Sequence, residues 1–378
     1  METKKTKRLF NFLLLLLVLP LLIHLVGLPK LKSLKGAVTE SPKPKFAVTK
    51  WFEGDYQKEA EVYLNEKFGL RNFFIRLNNQ VAYSFYGLAK ANGVVIGKDG
   101  YLFEKSYIDA YYGRDFLGKD SIDALLNKVK YIQDTLHKRG IDLVVVINPG
   151  KGSYLPEKIP DNLRSAKGIT NHEYFSIKAQ DLQINLLDFN TYFLRNKDKF
   201  RYPLFPKCGI HWSTYCEILA KDSLLSYIGY LTKIQTPDII IDTVLWGRGN
   251  KFREDDIKDG MNILWGPEVG KVGYPKYHIV EKGRTRPNVL VVADSFYWGI
   301  YGNEDISKLF AKNQFWFYFH ELYNAEWGNV KYPDQISLDE EISKHQVVII
   351  MATESTLPRF GWGFVQKAYT QFQPRKTQ

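Results

Sequence analysis

A serine and a histidine in unlike surroundings are the residues of this sequence best suited to covalent chemistry. Ser295 lies just beyond Val289–Ala293, VLVVA, an apolar run rich in β-branched side chains that fits a strand covered on both faces. The run stops at Asp294-Ser295, which predicts a serine at the carboxyl edge of a sheet, where open α/β folds hold their ligands. His211 lies in Phe205–Ser213, FPKCGIHWS, a loop-like stretch ahead of a helix expected over Thr214–Tyr230. A nucleophile and a base from separate strand ends are what acyl transfer through serine requires. A plainer reading stands beside each. Asp and Ser are preferred helix caps, and a partly buried histidine can serve only to bond backbone.

Other polar groups fall at the same predicted edge. The strand Ile141–Ile147 runs into Asn148-Pro149-Gly150-Lys151-Gly152, so Gly150 is a candidate for a second oxyanion donor beside the backbone N–H of Ser295. Lys151 is either a holder of an anionic substrate or a solvated side chain. The strand Val347–Met351 runs into Thr353-Glu354, which either lines the same edge or caps the next segment, and Asp294 is a candidate supporting group. Cys208 and Cys216 flank His211, and outside the cytoplasm they are expected to pair as a disulfide bracing the loop. The alternatives are two buried thiols or a Cys-His-Cys metal site. The last lacks four ligands at structural-zinc spacing, so no metal is expected, and no motif calls for a cofactor.

The elements that must position these residues alternate between strand and helix. The helix Ser121–Arg139 carries Ile122, Leu125, Leu126, Val129, Ile132 and Leu136 on one stripe and ends at Gly140 before the strand Ile141–Ile147. A second helix, Asn171–Gln180, precedes a short strand Ile184–Phe189 with Asp188 at its end. A short helix near Ile306–Ala311, an aromatic strand Phe315–Phe319 and a helix Ser337–Ser343 lead to Val347. This succession predicts an α/β fold with a parallel central sheet. Gly93–Glu104, GVVIGKDGYLFE, reads as a hairpin turned by Asp99-Gly100, and Trp51–Tyr86 as one or two amphipathic helices with a turn near Gly69. Residues 232–286, with scattered Gly and Pro and short apolar runs such as Ile239–Ile241, read as an irregular or β-rich insertion.

The N-terminus predicts a membrane anchor. Residues 1–8 carry four basic side chains and one acid, and Leu9–Leu28 has no charge over a length that spans the hydrocarbon core at about 1.5 Å per residue. The basic flank predicts a cytoplasmic tail (1–8), a single-pass signal anchor (9–28) and an exported remainder, at the periplasm or cell exterior. A cleaved signal peptide is the alternative, but no clear A-x-A site follows. Residues 29–50, rich in Pro and Lys, read as a linker, 51–370 as the exported domain and 371–378 as a tail. The net charge of +11 over 378 residues is spread along the chain, and no nucleic-acid-binding motif accompanies it. An anionic glycan or the membrane surface is the expected partner, not nucleic acid.

VVADSFYWG, GIHWS, VVIGKDGYLFE and VVVINPGKGSYLPEKIP, in that fold context, resemble the SGNH-hydrolase-like domain of alginate O-acetyltransferases of the AlgJ and AlgX type. The resemblance covers about residues 50 to 370. It implies a three-layer SGNH-like fold with the family's permuted order, histidine before serine. It also implies that Ser295 is the nucleophile and His211 the base. By the same resemblance the chain is a membrane-anchored O-acetyltransferase of an exported polysaccharide, supplied with acetyl groups by a multipass membrane partner. A carbohydrate acetyl-esterase, or a non-catalytic glycan-binding subunit with a relic site, are the alternatives. The family's aspartate two residues before the histidine is Gly209 here. An orienting carboxylate must then come from elsewhere, with Asp188, Asp294, Glu354 and Asp222 as candidates, or a backbone carbonyl must orient His211, or the site is inactive.

Overall fold

A computed structural model describes residues 2–26, 33–36, 41–67, 69–252 and 254–374. The end of the expected anchor (Gly27 and Leu28), parts of the linker, Phe68 of the Trp51–Tyr86 stripe, and the last four residues lie outside them. The chain forms two compact units, Met1–Val94 with Ile257–Pro267, and Val95–Asp256 with Glu268–Gln378.

The first unit is helical. Its first helix, Glu2–Val26, contains the apolar segment Lys4–Ile23, long and apolar enough to cross a membrane. The region expected to hold one or two amphipathic helices forms three, Val48–Glu53, Asp55–Lys67 and Arg71–Tyr86. The segment 257–267 joins this unit through side-chain amides of the third. Gln80 Oε1 accepts from the backbone N–H of Leu264 (3.0 Å) and Trp265 (2.9 Å), and Asn79 donates to the Met261 carbonyl at 3.0 Å.

The second unit is a three-layer α/β structure. A hairpin of β1 (Val94–Ile96) and β2 (Leu102–Glu104) turns at Asp99-Gly100, both at positive φ. The main sheet contains β3 (Asp142–Asn148) and β4 (Leu186–Asp188), and a separate antiparallel pair is made of β5 (Asp238–Arg248) and β6 (Lys271–Val280). The main sheet is completed by β7 (Asn288–Ala293), β8 (Lys312–Phe317), β9 (Glu321–Tyr323) and β10 (Val347–Thr353), in the order β4-β3-β10-β7-β8-β9. Every pairing is parallel except β8 with β9. The central strands are buried on both faces because their side chains alternate between two cores. Val144, Val146, Val289, Val291, Val347 and Ile349 pack with the helix Thr214–Thr232. Leu143, Val145, Leu290, Val292, Val348 and Ile350 pack with the helices Lys119–His137, Asn171–Asp181 and Phe364–Phe372.

Residues 232–286, expected to be irregular or β-rich, are β-rich: they hold a long antiparallel pair, with 11 residues in β5, 10 in β6 and a register shift between Ile241 and Thr243. One expectation needs correction. The aromatic strand expected over Phe315–Phe319 ends at Phe317, and Tyr318 and Phe319 turn away at φ 49° and 47°.

Candidate active site

The carboxyl ends of β7 and β10 are tied together by Asp294. Its fully buried carboxylate accepts from the N–H of Phe296 (3.0 Å), the N–H of Thr353 (2.7 Å) and the hydroxyl of Thr356 (3.0 Å). Burial pushes its pKa up, and these donors oppose that. Asp294 is therefore the cap that the sequence allowed, and it also fixes the exit of β7 from which Ser295 begins a short 3₁₀ turn, Ser295–Tyr297. Thr353 is likewise a cap, closed by a reciprocal bond with Thr356.

His211 reaches Ser295 from the loop before the helix Thr214–Thr232, whose cap is Ser213, accepting from the N–H of Cys216. His211 Nε2 and Ser295 Oγ are 2.9 Å apart, and His211 Nδ1 and Asp256 Oδ2 are 2.8 Å apart. The other oxygen of Asp256 accepts the backbone N–H of Ile210 at 2.9 Å, so one carboxylate holds both the imidazole and the chain preceding it. A carboxylate on Nδ1 requires the proton there, which leaves Nε2 free to accept the serine proton. The His211 ring lies 5.0 Å from that of Phe296, which in turn packs edge-on against Trp212 at 5.2 Å. The side chain of His211 remains one-third exposed, open to a substrate.

None of the four carboxylates considered from the sequence orients His211. Asp188 accepts from His172, Ser176 and Thr191. Glu354 accepts from Ser153 and Asn190 at 2.7 Å each, Asp222 accepts from the Ile239 N–H, and Asp294 makes the bonds above. Asp256 comes from the segment after β5, 45 residues beyond His211. The acidic run Glu254-Asp255-Asp256 was the signal available, but it read as part of an irregular insertion.

In the loop after β3, Lys151 is neither solvated nor free to hold a substrate. Lys151 is buried, and its Nζ donates to the carbonyls of Leu102 (2.7 Å), Lys207 (3.0 Å) and Gly209 (2.8 Å). It braces the histidine loop from beneath and cannot hold a substrate anion. Gly150 and Gly152 permit close packing. A Cβ on Gly150 would lie 2.2 Å from Glu354 Oε1, and one on Gly152 2.2 Å from the Tyr107 carbonyl.

A group absent from the sequence reading stands at Ser295. The Tyr318 hydroxyl interacts with both the Ser295 side chain and its backbone N–H. Burial pushes the Tyr318 pKa up first, the Asp294 charge adds to this, and the Ser295 contacts oppose it. The left-handed turn beginning at Tyr318 is what brings it there, with its own N–H bonded to the Ala293 carbonyl at 2.9 Å. Such backbone strain gathers at functional sites. Glu104 also senses the site, its pKa raised by burial first and then by Asp256.

The expected disulfide is not formed. Cys208 Sγ donates to the Glu268 carbonyl at 3.6 Å, while Cys216 lies on the core face of the helix Thr214–Thr232, and both thiols are buried. Among the described residues, no cluster of His, Cys, Asp and Glu is placed to hold a metal ion.

Comparison with known proteins agrees with the motifs. Residues 94–224 match the family model described as the SGNH hydrolase-like domain of acetyltransferase AlgX. Over part of its length the chain is similar to alginate O-acetylases of the AlgJ type as well. The matched stretch includes His211 but ends before Asp256 and Ser295. A probable alginate O-acetylase AlgJ of Pseudomonas syringae pv. tomato is 30% identical over 116 residues, 31% of this chain and 28% of that protein. Its counterpart in Pseudomonas aeruginosa is 27% identical over 196 residues, 51% of this chain and 46% of that protein. The matches thus span less than half the length of either relative. Among solved structures, the O-acetyltransferase domain of Pseudomonas putida AlgJ aligns with a TM-score of 0.46 at 15% identity, over 74% of this chain and 99% of that one. Bacillus cereus PatB1 aligns with a TM-score of 0.44 at 12% identity, over 70% and 96%.

Proposed function

We propose that this protein is an O-acetyltransferase that modifies a polysaccharide outside the cytoplasm through an acetyl-serine at Ser295. The observation that carries the reading is the single imidazole bonded to Asp256 on one nitrogen and Ser295 on the other. Its relatives named alginate O-acetylase support the substrate class. In the first half-reaction the Ser295 hydroxyl gives its proton to His211 Nε2 while Oγ bonds the acetyl carbonyl carbon. The donor's leaving atom departs with that proton as its bond to carbon breaks. In the second half, His211 takes a proton from a sugar hydroxyl, whose oxygen bonds the acetyl carbon. The Oγ–carbon bond breaks and the proton returns to Ser295. Asp256 stabilises the imidazolium in both halves, and the Ser295 N–H and Tyr318 hydroxyl supply donors near the developing oxyanion.

The apolar helix with its basic leading residues supports a membrane anchor that leaves the site outside the cytoplasm. Acetyl-CoA is cytoplasmic, so a multipass membrane protein would deliver the acetyl group. Water in place of the sugar hydroxyl would make the protein an esterase.

The test uses p-nitrophenyl acetate with an alginate oligosaccharide as acceptor. Ser295-dependent release of nitrophenol, with acetyl mass added to the oligosaccharide, is the expected result. Release without acceptor acetylation would make it an esterase. Failure of a serine-directed sulfonyl fluoride to add to Ser295, together with no turnover, would leave a glycan-binding subunit.

A further inference from the structure

We infer that the exposed end of the β5–β6 hairpin carrying Trp246, Arg248 and Lys271 is a binding subsite for an anionic sugar ring of the acceptor polysaccharide. This inference rests on the polysaccharide reading above and adds the place where the protein holds the acceptor.

Trp246 is an indole left half in water. It is 49% exposed, although its ring centroid lies only 4.7 Å from that of Tyr202. The fold makes room for this pair. Trp246 faces Gly273 across the hairpin, and a Cβ on Gly273 would lie 2.7 Å from the Tyr202 ring. Tyr202 is fixed from both sides, donating to the Val244 carbonyl at 3.0 Å and packing on Tyr215 at 5.1 Å. The indole therefore rests on a rigid aromatic base and presents its remaining surface outward. A flat, amphipathic ring held in this way suits stacking on the apolar face of a sugar.

The residues beside it carry charge of one sign. Arg248 lies two positions beyond Trp246 and so shares its face, and its direct cross-strand partner is Lys271. Both are exposed, and among the described residues neither has a carboxylate partner. Like charges directly opposite one another destabilise a strand pair. Arg201, whose guanidinium lies 5.7 Å from the Tyr202 ring, adds a third cation. An anion at this point would offset the repulsion, and a guanidinium pairs well with a carboxylate.

The platform is joined to the candidate active site by short, well-bonded links. Tyr215 follows His211 by four residues, at the start of the helix Thr214–Thr232. Beyond Arg248 the chain leads to Glu254, which accepts from the Thr214 N–H (3.1 Å) and from the Tyr274 hydroxyl, and then to Asp256. Trp246 and Asp256, which holds His211, thus lie ten residues apart on one stretch of chain.

The experiment measures affinity on the full-length protein in detergent micelles, by calorimetry with an alginate hexasaccharide and with neutral maltohexaose. Wild type should bind the uronate oligomer at least about tenfold more tightly than the neutral one, the size of one or two good contacts. Trp246→Ala and the double variant Arg248→Gln/Lys271→Gln should each weaken uronate binding about tenfold or more. Circular dichroism confirms that the variants are folded. Equal affinity for the two oligomers, or no loss in the variants, overturns the inference. So does loss of binding to phosphatidylglycerol vesicles as the variants' only change, since it would assign the face to the membrane surface. Ser295→Ala should bind the uronate oligomer as wild type does, so failure of acetyl transfer and failure of this subsite are read separately.

Discussion

Gly209 and Glu254 approach so closely that a Cβ on Gly209 would lie 2.5 Å from the Glu254 carbonyl oxygen and 2.8 Å from its carbonyl carbon. The segment that brings Asp256 to the imidazole passes over Gly209, the position where the family resemblance implies an orienting aspartate. A side chain at 209 and a carboxylate arriving from 256 are therefore mutually exclusive solutions to one need. Gly209→Asp should not restore a stronger triad. It should displace the 254–256 segment, cost about 1–3 kcal/mol as overpacking does, and lower turnover. Urea unfolding and p-nitrophenyl acetate kinetics would measure both. Gain of activity would show that Asp256 is dispensable.

Asp256→Asn tests the same relationship from the other side. The amide keeps the size of the carboxylate but offers Nδ1 a donor as readily as an acceptor, and it carries no charge to stabilise the imidazolium. Turnover should fall by about 10²–10⁴-fold with a small change in KM, as expected when the orienting acid of a triad is lost. A loss under about threefold would mean that the backbone around His211 suffices to orient it.

Tyr318→Phe removes a hydroxyl beside Ser295 without emptying the space its ring fills. If that hydroxyl stabilises developing charge, kcat should fall by about tenfold to a thousandfold with KM nearly unchanged. A rise in KM alone would assign Tyr318 to substrate binding.

The residues of the site show what the sequence made legible. Ser295 and His211 were readable because each sits beside a strong local signal, a β-branched run for one and a helix start for the other. The strands β3, β7 and β10 were readable for the same reason, being apolar on both faces. Asp256 was not, because the link between it and His211 is tertiary and its segment has no periodicity. Tyr318 looked like one more aromatic of a strand, since nothing local marks the left-handed turn that diverts it. Lys151 looked like a surface lysine because only its three carbonyl partners, brought from separate loops, show that it is buried.

The cysteines give a simple chemical test. Burial pushes the Cys216 thiol well above its ordinary pKa, which makes it a poor nucleophile for disulfide exchange. Protein unfolded in guanidinium without reductant should therefore release two titratable thiols to Ellman's reagent, and the folded protein close to none. Two thiols recovered only after reduction would restore the disulfide expected from the sequence.

Lys151 couples the histidine loop to pH. Burial lowers its pKa from 10.5 to about 7, with Cys208 and Asp256 pulling it back up. In the unfolded chain the lysine keeps its proton up to about 10.5. Between those values the unfolded state holds one proton more than the folded state, so this group makes stability rise with pH across the window. Below about 7 both states are charged and the slope vanishes. Lys151→Met should remove that slope. It should also cost roughly 2–5 kcal/mol, because the carbonyls of Leu102, Lys207 and Gly209 lose their donor in a buried place. Urea midpoints of wild type and variant, taken at intervals from pH 6 to pH 10, would show the wild-type advantage widening with pH. A constant gap would mean that Lys151 keeps its proton throughout, held charged by its three carbonyls.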